Sequence, residues 1–248
     1  MHDFALEGYH PGLSLDCVIF GFHENELKVL LLKMKNWDKW ALPGGFVPKN
    51  MGVDEAAAEA LFERTGLKDI FLRQFYLFGN PERNNADHVE KLVKRGVIQE
   101  NLKSWFSQRF VSMGYYSLVE FSKVTPVPDT ISEFCEWKPL SDLPPMIIDH
   151  EEILQRAYQT LKKELDDEPV WLNLLPEKFT MTELQTLYET ILGKQLDRRN
   201  FRRKILSWEI LVETGERRTG GRHKAPILYQ FDLEKYDRAL REGLKQGW

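Results

Sequence analysis

Cysteine is scarce, with 2 in 248 residues. Cys17 and Cys135 sit inside apolar, strand-like runs, as reduced and buried thiols do, so neither a disulfide framework nor a zinc site organises this chain. No apolar run approaches the length of a bilayer-spanning helix, and the opening MHDFALEGYH has neither the basic start nor the apolar core of an export signal. A soluble, cytoplasmic protein with no membrane partner is expected. At 42% hydrophobic residues the chain can bury a sizeable core, as one large or two modest domains.

A strong overall charge is also missing, but the net −4 conceals an asymmetry. From Lys178 to Lys224 there are eleven basic residues and six acidic ones, an excess of +5, which leaves −9 for the remainder. A basic module on an acidic body is expected where one part meets a polyanion and the other does not.

Periodicity supplies the organisation. LSLDCVIFGF and ELKVLLLKM read as two strands around a turn at His23 to Asn25, and WALPGGF leads into a helix. IFLRQFYLFGN, FVSMGYYSLVEF and EFCEWKPL read as further strands, followed by a helix from Asp149 to about Leu165. The charged, partly amphipathic segment at about 86–108 is longer than an ordinary connection and predicts an inserted helical hairpin, either a surface elaboration or a lid. The acidic run Glu164 to Glu168, closed by Pro169, marks the domain junction, dividing the chain into 1–166 and 167–248.

Beyond it, FTMTELQTLYETILG opens with a capping box, Thr180 with Glu183 three residues on, and stops at Gly193. Asp197 caps a second, very basic helix, DRRNFRRKILSW. Its Phe201, Ile205 and Leu206 are expected to pack inward, which leaves Arg198, Arg199, Asn200, Arg202, Arg203 and Lys204 for the outside. ILVET, GERRTGGRHKA and PILYQF then read as a hairpin whose tip carries Arg217, Arg218, Thr219, Arg222 and Lys224. Helix, tight turn, basic helix and basic hairpin is the order of a winged helix-turn-helix, in which the second helix enters the major groove and the wing follows phosphates. Arginine and asparagine can bond base edges bidentately while wing cations neutralise phosphates, so double-stranded DNA is the expected partner. RNA is disfavoured, because no aromatic-rich stacking strand is present.

The stretch Gly45 to Leu67, GFVPKNMGVDEAAAEALFERTGL, resembles a Nudix box, G-x5-E-x7-R-E-U-x-E-E-x-G-U with U aliphatic, and Gly66 and Leu67 fall on its last two positions without a gap. Such boxes use acids to hold divalent cations for pyrophosphate hydrolysis. Here the first acid is Met51, the arginine is Glu59, the next acid is Ala60, and the final pair is Glu63 and Arg64. One acid of four remains. Glu55, Glu59 and Glu63 would form one stripe on a helix, but about 100° round from the metal-binding pair. A degenerate box kept for shape is expected, with no catalytic residue, metal or cofactor.

Degenerate box and basic tail together resemble the NrtR-type, Nudix-related transcriptional regulators along nearly the full chain. The resemblance implies a mixed α/β fold, an N-terminal Nudix α/β/α sandwich followed by a C-terminal winged helix-turn-helix. It further implies a homodimer on a palindromic operator, retuned by a small effector: ADP-ribose in one branch, a pentose such as arabinose in another. SLDCVIFGF and NLLPEKFT look closer to the pentose branch. Candidate ligand contacts bordering the Nudix cleft are Asp16, Trp40, Phe46, Glu63, Arg83 and Asn84. Asp16 interrupts an apolar strand; its buried carboxylate needs partners, which could be sugar hydroxyls or equally a backbone amide or an arginine. The competing function is a Nudix pyrophosphatase acting on ADP-ribose or a related nucleoside diphosphate, which leaves RRNFRRK and RRTGGRHK without a task.

Overall fold

A computed structural model describes residues 6–68, 70–83, 86–165, 170–218 and 225–242. The chain separates into two compact units, Met1–Gly21 with Lys28–Tyr158, and Phe22–Leu27 with Gln159–Trp248. The expected border at 166/167 falls among residues 166–169, outside the described part.

The first unit is built on a mixed, seven-stranded sheet. Strand β1 (Tyr9–His23) turns into β2 (Glu26–Met34) through Glu24 and Asn25, at φ 53° and 61°. Two consecutive left-handed residues make the type I′ turn whose twist matches a two-residue hairpin. β3 (Trp40–Ala41) and β7 (Ser132–Pro139) pair with β2, β4 (Gly44–Pro48) pairs with β1, and β6 (Val111–Val119) lies parallel to β1 with Asp16 opposite Gly114. β5 (Leu72–Phe78) runs antiparallel along β6. At Gly44 a Cβ would lie 2.3 Å from the carbonyl oxygen of Leu15, so the β1–β4 approach requires glycine there.

Alternation along β1 splits its side chains between faces. Leu15, Cys17 and Ile19 join a core with Ala56, Ala57 and Leu61 of α1 (Val53–Thr65), while Asp16, Val18 and Phe20 occupy the other face. Helix α1 stops where Gly66, at φ 74°, donates to the carbonyl of Phe62. The segment expected as a helical hairpin forms α2 (Ala86–Lys94) and a single turn, α3 (Lys103–Phe106). It is no surface appendage: Val89, Leu92, Val97 and Ile98 enter the α1-side core, and Trp105 packs on Phe46 and Phe110. Helix α4 (His150–Glu164) buries Ile153, Leu154 and Ala157.

In the second unit, β8 (Phe179–Thr180), α5 (Met181–Leu192), α6 (Arg198–Ser207), β9 (Leu211–Arg217), β10 (Ile227–Phe231) and α7 (Leu233–Glu242) follow in order. The predicted caps form. Thr180 Oγ1 accepts from the Glu183 amide at 3.1 Å, Glu183 accepts from the Thr180 amide at 2.7 Å, and Asp197 accepts from Asn200 at 2.9 Å. β8 completes a three-stranded sheet in the order β8–β10–β9. It and α7 add to the sequence-based elements. Among the described residues, no helix is long and apolar enough to cross a membrane.

Candidate functional site

Helix α6 buries Phe201 against Tyr188 of α5, ring centroids 5.1 Å apart, and buries Ile205 one turn on. Leu206, expected on that inner face, is instead exposed, because it lies about 100° round the helix from Ile205. Arg198, Arg199, Asn200, Arg202, Arg203 and Lys204 are all exposed, as their positions predict. Several of them are already held. Arg202 donates to the Tyr229 hydroxyl at 2.9 Å, which donates to Glu213 at 3.0 Å, and Arg203 donates to Asn200 Oδ1 at 3.1 Å. At the wing base Arg218 forks onto both oxygens of Glu183 at 2.6 Å, and Arg217 donates to the Ala225 carbonyl at 2.8 Å. The first turn of α5, α6 and the wing enclose a concavity of about 350 Å³ bordered by Arg198, Arg202 and Arg217. Thr219, Arg222 and Lys224 lie outside the described residues.

The degenerate box helix carries Glu55, Glu59 and Glu63 on its exposed side. Glu55 accepts from the Gly52 amide at 3.4 Å, serving the helix start. Arg64, where a metal-holding acid would stand, donates to Glu63 at 2.5 Å and to the Val127 carbonyl at 3.3 Å. Arg64 puts a cation where a metal ligand would stand, and Met51 and Ala60 offer no carboxylate, so Glu63 is the one acid of the box that remains. Among the described residues no group of three His, Cys, Asp or Glu is arranged to hold a metal. These residues do not fit the family's catalytic cations.

Of the six proposed ligand residues, Asp16 and Arg83 come together, buried. Arg83 Nη2 and the Ser112 hydroxyl both donate to Asp16 Oδ2 at 2.6 Å. His150 accepts the Leu42 amide on Nδ1 at 2.8 Å, so its ring proton sits on Nε2, facing Asp16 Oδ1 at 3.5 Å. Burial raises the Asp16 carboxyl, yet His150, Arg83 and the Ser112 bond together hold it below its ordinary range. Burial lowers His150 against the pull of Asp16, and the Arg83 guanidinium is the fixed charge that compensates the carboxylate. Asp149, raised by burial, lies 3.3 Å from Arg83 Nε.

The other candidates lie elsewhere. Trp40 is buried with the ammonium groups of Lys138 and Lys33 at 4.3 and 5.7 Å from its ring. Phe46 packs among Tyr9, Trp105, Phe106 and Phe110, and Glu63 is exposed on α1. Asn84 lies outside the described residues. Above the Asp16–Arg83 pair opens a cleft of about 380 Å³, walled by Trp37 and His88 and reaching Lys91, Ile148 and Asp149. Sequence reading missed Trp37, His88, Ser112, Asp149 and His150, because they converge from four separate segments without a common motif.

Residues 171–231 match the NrtR DNA-binding winged helix domain. Joined to an α/β/α unit with a Nudix-type helix, that module defines a winged-helix regulator built on a Nudix domain. An ADPR responsive transcriptional repressor, NtrR, of Acinetobacter baylyi is 30% identical over 234 residues, spanning 92% of this chain and 84% of that protein. The chain therefore belongs to the NrtR-type family of Nudix-related transcriptional regulators. The crystal structure of Shewanella oneidensis NrtR complexed with a 27mer DNA superposes with a TM-score of 0.72 at 26% identity, covering 91% of this chain and 95% of that one. An ADP-ribose pyrophosphatase of Methanocaldococcus jannaschii is 34% identical over 87 residues, 34% of this chain and 49% of that protein.

Proposed function

We propose that this protein is a ligand-responsive transcriptional regulator, a homodimer on a palindromic operator, in which the Nudix domain senses a small molecule in place of hydrolysing one. The observation that carries the reading is Arg64: it turns the box's metal-binding position into a cation tied to Glu63 and Val127, in a chain whose other unit exposes six polar residues along α6. ADP-ribose is the effector that the name of the Acinetobacter relative supplies. A pentose is the second reading, and the charge of the cleft favours it: Glu82, Asp87, Asp149 and Glu152 line it against Arg83 and Lys91, an environment that repels a pyrophosphate but suits hydroxyl donors.

A mobility-shift assay on the DNA upstream of the gene and its neighbours, repeated with ADP-ribose, arabinose and xylose, tests the reading. Binding to a specific fragment and release by one of these is expected, without Mg²⁺-dependent turnover of ADP-ribose. Turnover at an enzyme-like rate that is lost in Glu63→Gln would return the chain to the hydrolases.

A further inference from the structure

The basic residues around the wing base fall into two sets by what they touch. Arg202 and Arg217 donate to uncharged oxygens, the Tyr229 hydroxyl at 2.9 Å and the Ala225 carbonyl at 2.8 Å, and both border the concavity between α6, the wing and the start of α5. Arg218 and Lys178 are instead matched with carboxylates. Arg218 Nη2 donates to both oxygens of Glu183 at 2.6 Å, and Lys178 Nζ donates to Glu216 at 2.6 Å. Neighbours in an extended chain point to opposite faces, so Arg217 and Arg218 look different ways.

The two carboxylate pairs cross one joint in opposite senses. Glu216 on β9 reaches Lys178, just before β8, while Arg218, just past β9, reaches Glu183 in the first turn of α5. Because β8 and β9 flank β10, the pairs tie the outer strand of the wing to the far edge of the sheet and to the helix that follows it. Where they meet it, β9 is bent. Tyr229 pairs with Glu213 and Ile227 with Arg217, so Thr214, Gly215 and Glu216 all stand opposite Leu228. Gly215 takes φ 78°, a conformation open to glycine, and the Thr214 hydroxyl donates to the Leu228 carbonyl and accepts from the Glu216 amide, both at 3.1 Å. A bulge whose backbone is satisfied in this way is a built bend. It aims the strand that leads into 219–224, the segment carrying Arg222 and Lys224.

Stability does not account for the pairs. Arg218 and Glu183 leave 45% and 42% of their side chains accessible, and exposed ion pairs add little to a fold. The Glu183 carboxylate is nevertheless fixed in place, since it also accepts from the Thr180 amide at 2.7 Å. What such a pair supplies is direction.

We infer that Arg218, with Glu183, Lys178 and Glu216, positions the wing and meets no phosphate, while its neighbour Arg217 is the wing-base arginine that does. The inference rests on the reading of this unit as a DNA-binding module and names which of its charges set the aim of the wing.

The full chain, titrated at several salt concentrations onto a duplex that it selects from a randomised pool and onto a duplex of random sequence, tests it. Each phosphate contact contributes about 0.9 to the slope of log K against log salt. Arg217→Ala should lower the slope by about that amount on both duplexes. Arg218→Ala should leave both slopes unchanged, yet weaken binding to the selected duplex by about fivefold. Glu183→Gln separates the alternatives by sign, because glutamine still serves the capping box. Lost positioning weakens binding to the selected duplex as Arg218→Ala does, and the double variant is no weaker than either single one. Release of an arginine that seeks phosphate would instead tighten binding and steepen the slope. Glu216→Gln, which touches no helix cap, repeats the test from the other pair, and a Tm at the wild-type value shows that each variant keeps its fold. A slope lowered by about 0.9 in Arg218→Ala overturns the assignment and leaves the regulatory reading standing. Tighter binding in Glu183→Gln, or unaltered binding in both variants, does the same. A chain that selects no duplex from the pool overturns both.

Discussion

Asp16 and Arg83 show how one carboxylate in an apolar strand is made tolerable. The pair shares a 2.6 Å bond at near-complete burial, with Ser112 and His150 completing the carboxylate's surroundings. Removing one partner leaves the other charge uncompensated. Arg83→Met should therefore cost about 3–5 kcal/mol in chemical denaturation, and Asp16→Asn a comparable amount. A cost near zero for either would mean that water, not the partner, satisfies the remaining group. The histidines give a pH signature of defined sign. His88 is lowered from 6.5 to about 4 and His150 is also lowered. Below about pH 6.5 the unfolded chain takes up protons that the folded chain refuses, so the contribution of His88 is full above that pH and is lost as pH falls toward 4. His88→Gln should flatten the fall in stability by up to about 1.4 kcal/mol per pH unit. An unchanged slope in urea titrations would show that His88 titrates normally.

Among the elements, α6 is the one in which sequence and structure diverge most usefully. Spacing places its basic residues outside, and they are outside, but sequence has no means of showing that Arg202 is tethered through Tyr229 to Glu213. The tether depends on a register between β9 and β10 that brings Tyr229 opposite Glu213. Tyr229→Phe keeps the buried ring and frees the guanidinium. Operator binding should weaken by several-fold with altered base preference, while stability falls by about 1 kcal/mol. Unaltered footprints and unaltered discrimination would make the tether structural only. The caps of α5 and α6 were legible because Thr180, Glu183, Gly193 and Asp197 act through local spacing. The β1–β2 turn was legible for the same reason, and β8, two residues long, lacks such a signal. The buried cluster beside the cleft was illegible beyond Asp16 and Arg83, because parallel pairing of β1 with β6 and the start of α4 assemble it from residues up to 134 positions apart, from Asp16 to His150. Phe46 and Trp40 show a complementary limit: a large aromatic near a suspected cleft reads the same in sequence whether it faces ligand or core, and here Trp40 is buried and Phe46 is half-buried against Trp105.

At the scale of the whole molecule, one unit retains a hydrolase-like helix with one of its four acids and the other presents a basic helix and wing. In a regulator of this kind the two are coupled in free energy: an effector that lowers affinity for DNA must lose affinity for DNA-bound protein by the same factor. Fluorescence anisotropy of an operator fragment, titrated with protein at fixed effector concentrations, measures that coupling directly. The expected result is a family of binding curves shifted by at least about tenfold at saturating effector, equivalent to about 1.4 kcal/mol of coupling. Curves that superimpose for every pentose and for ADP-ribose, on a fragment the protein does bind specifically, would contradict it.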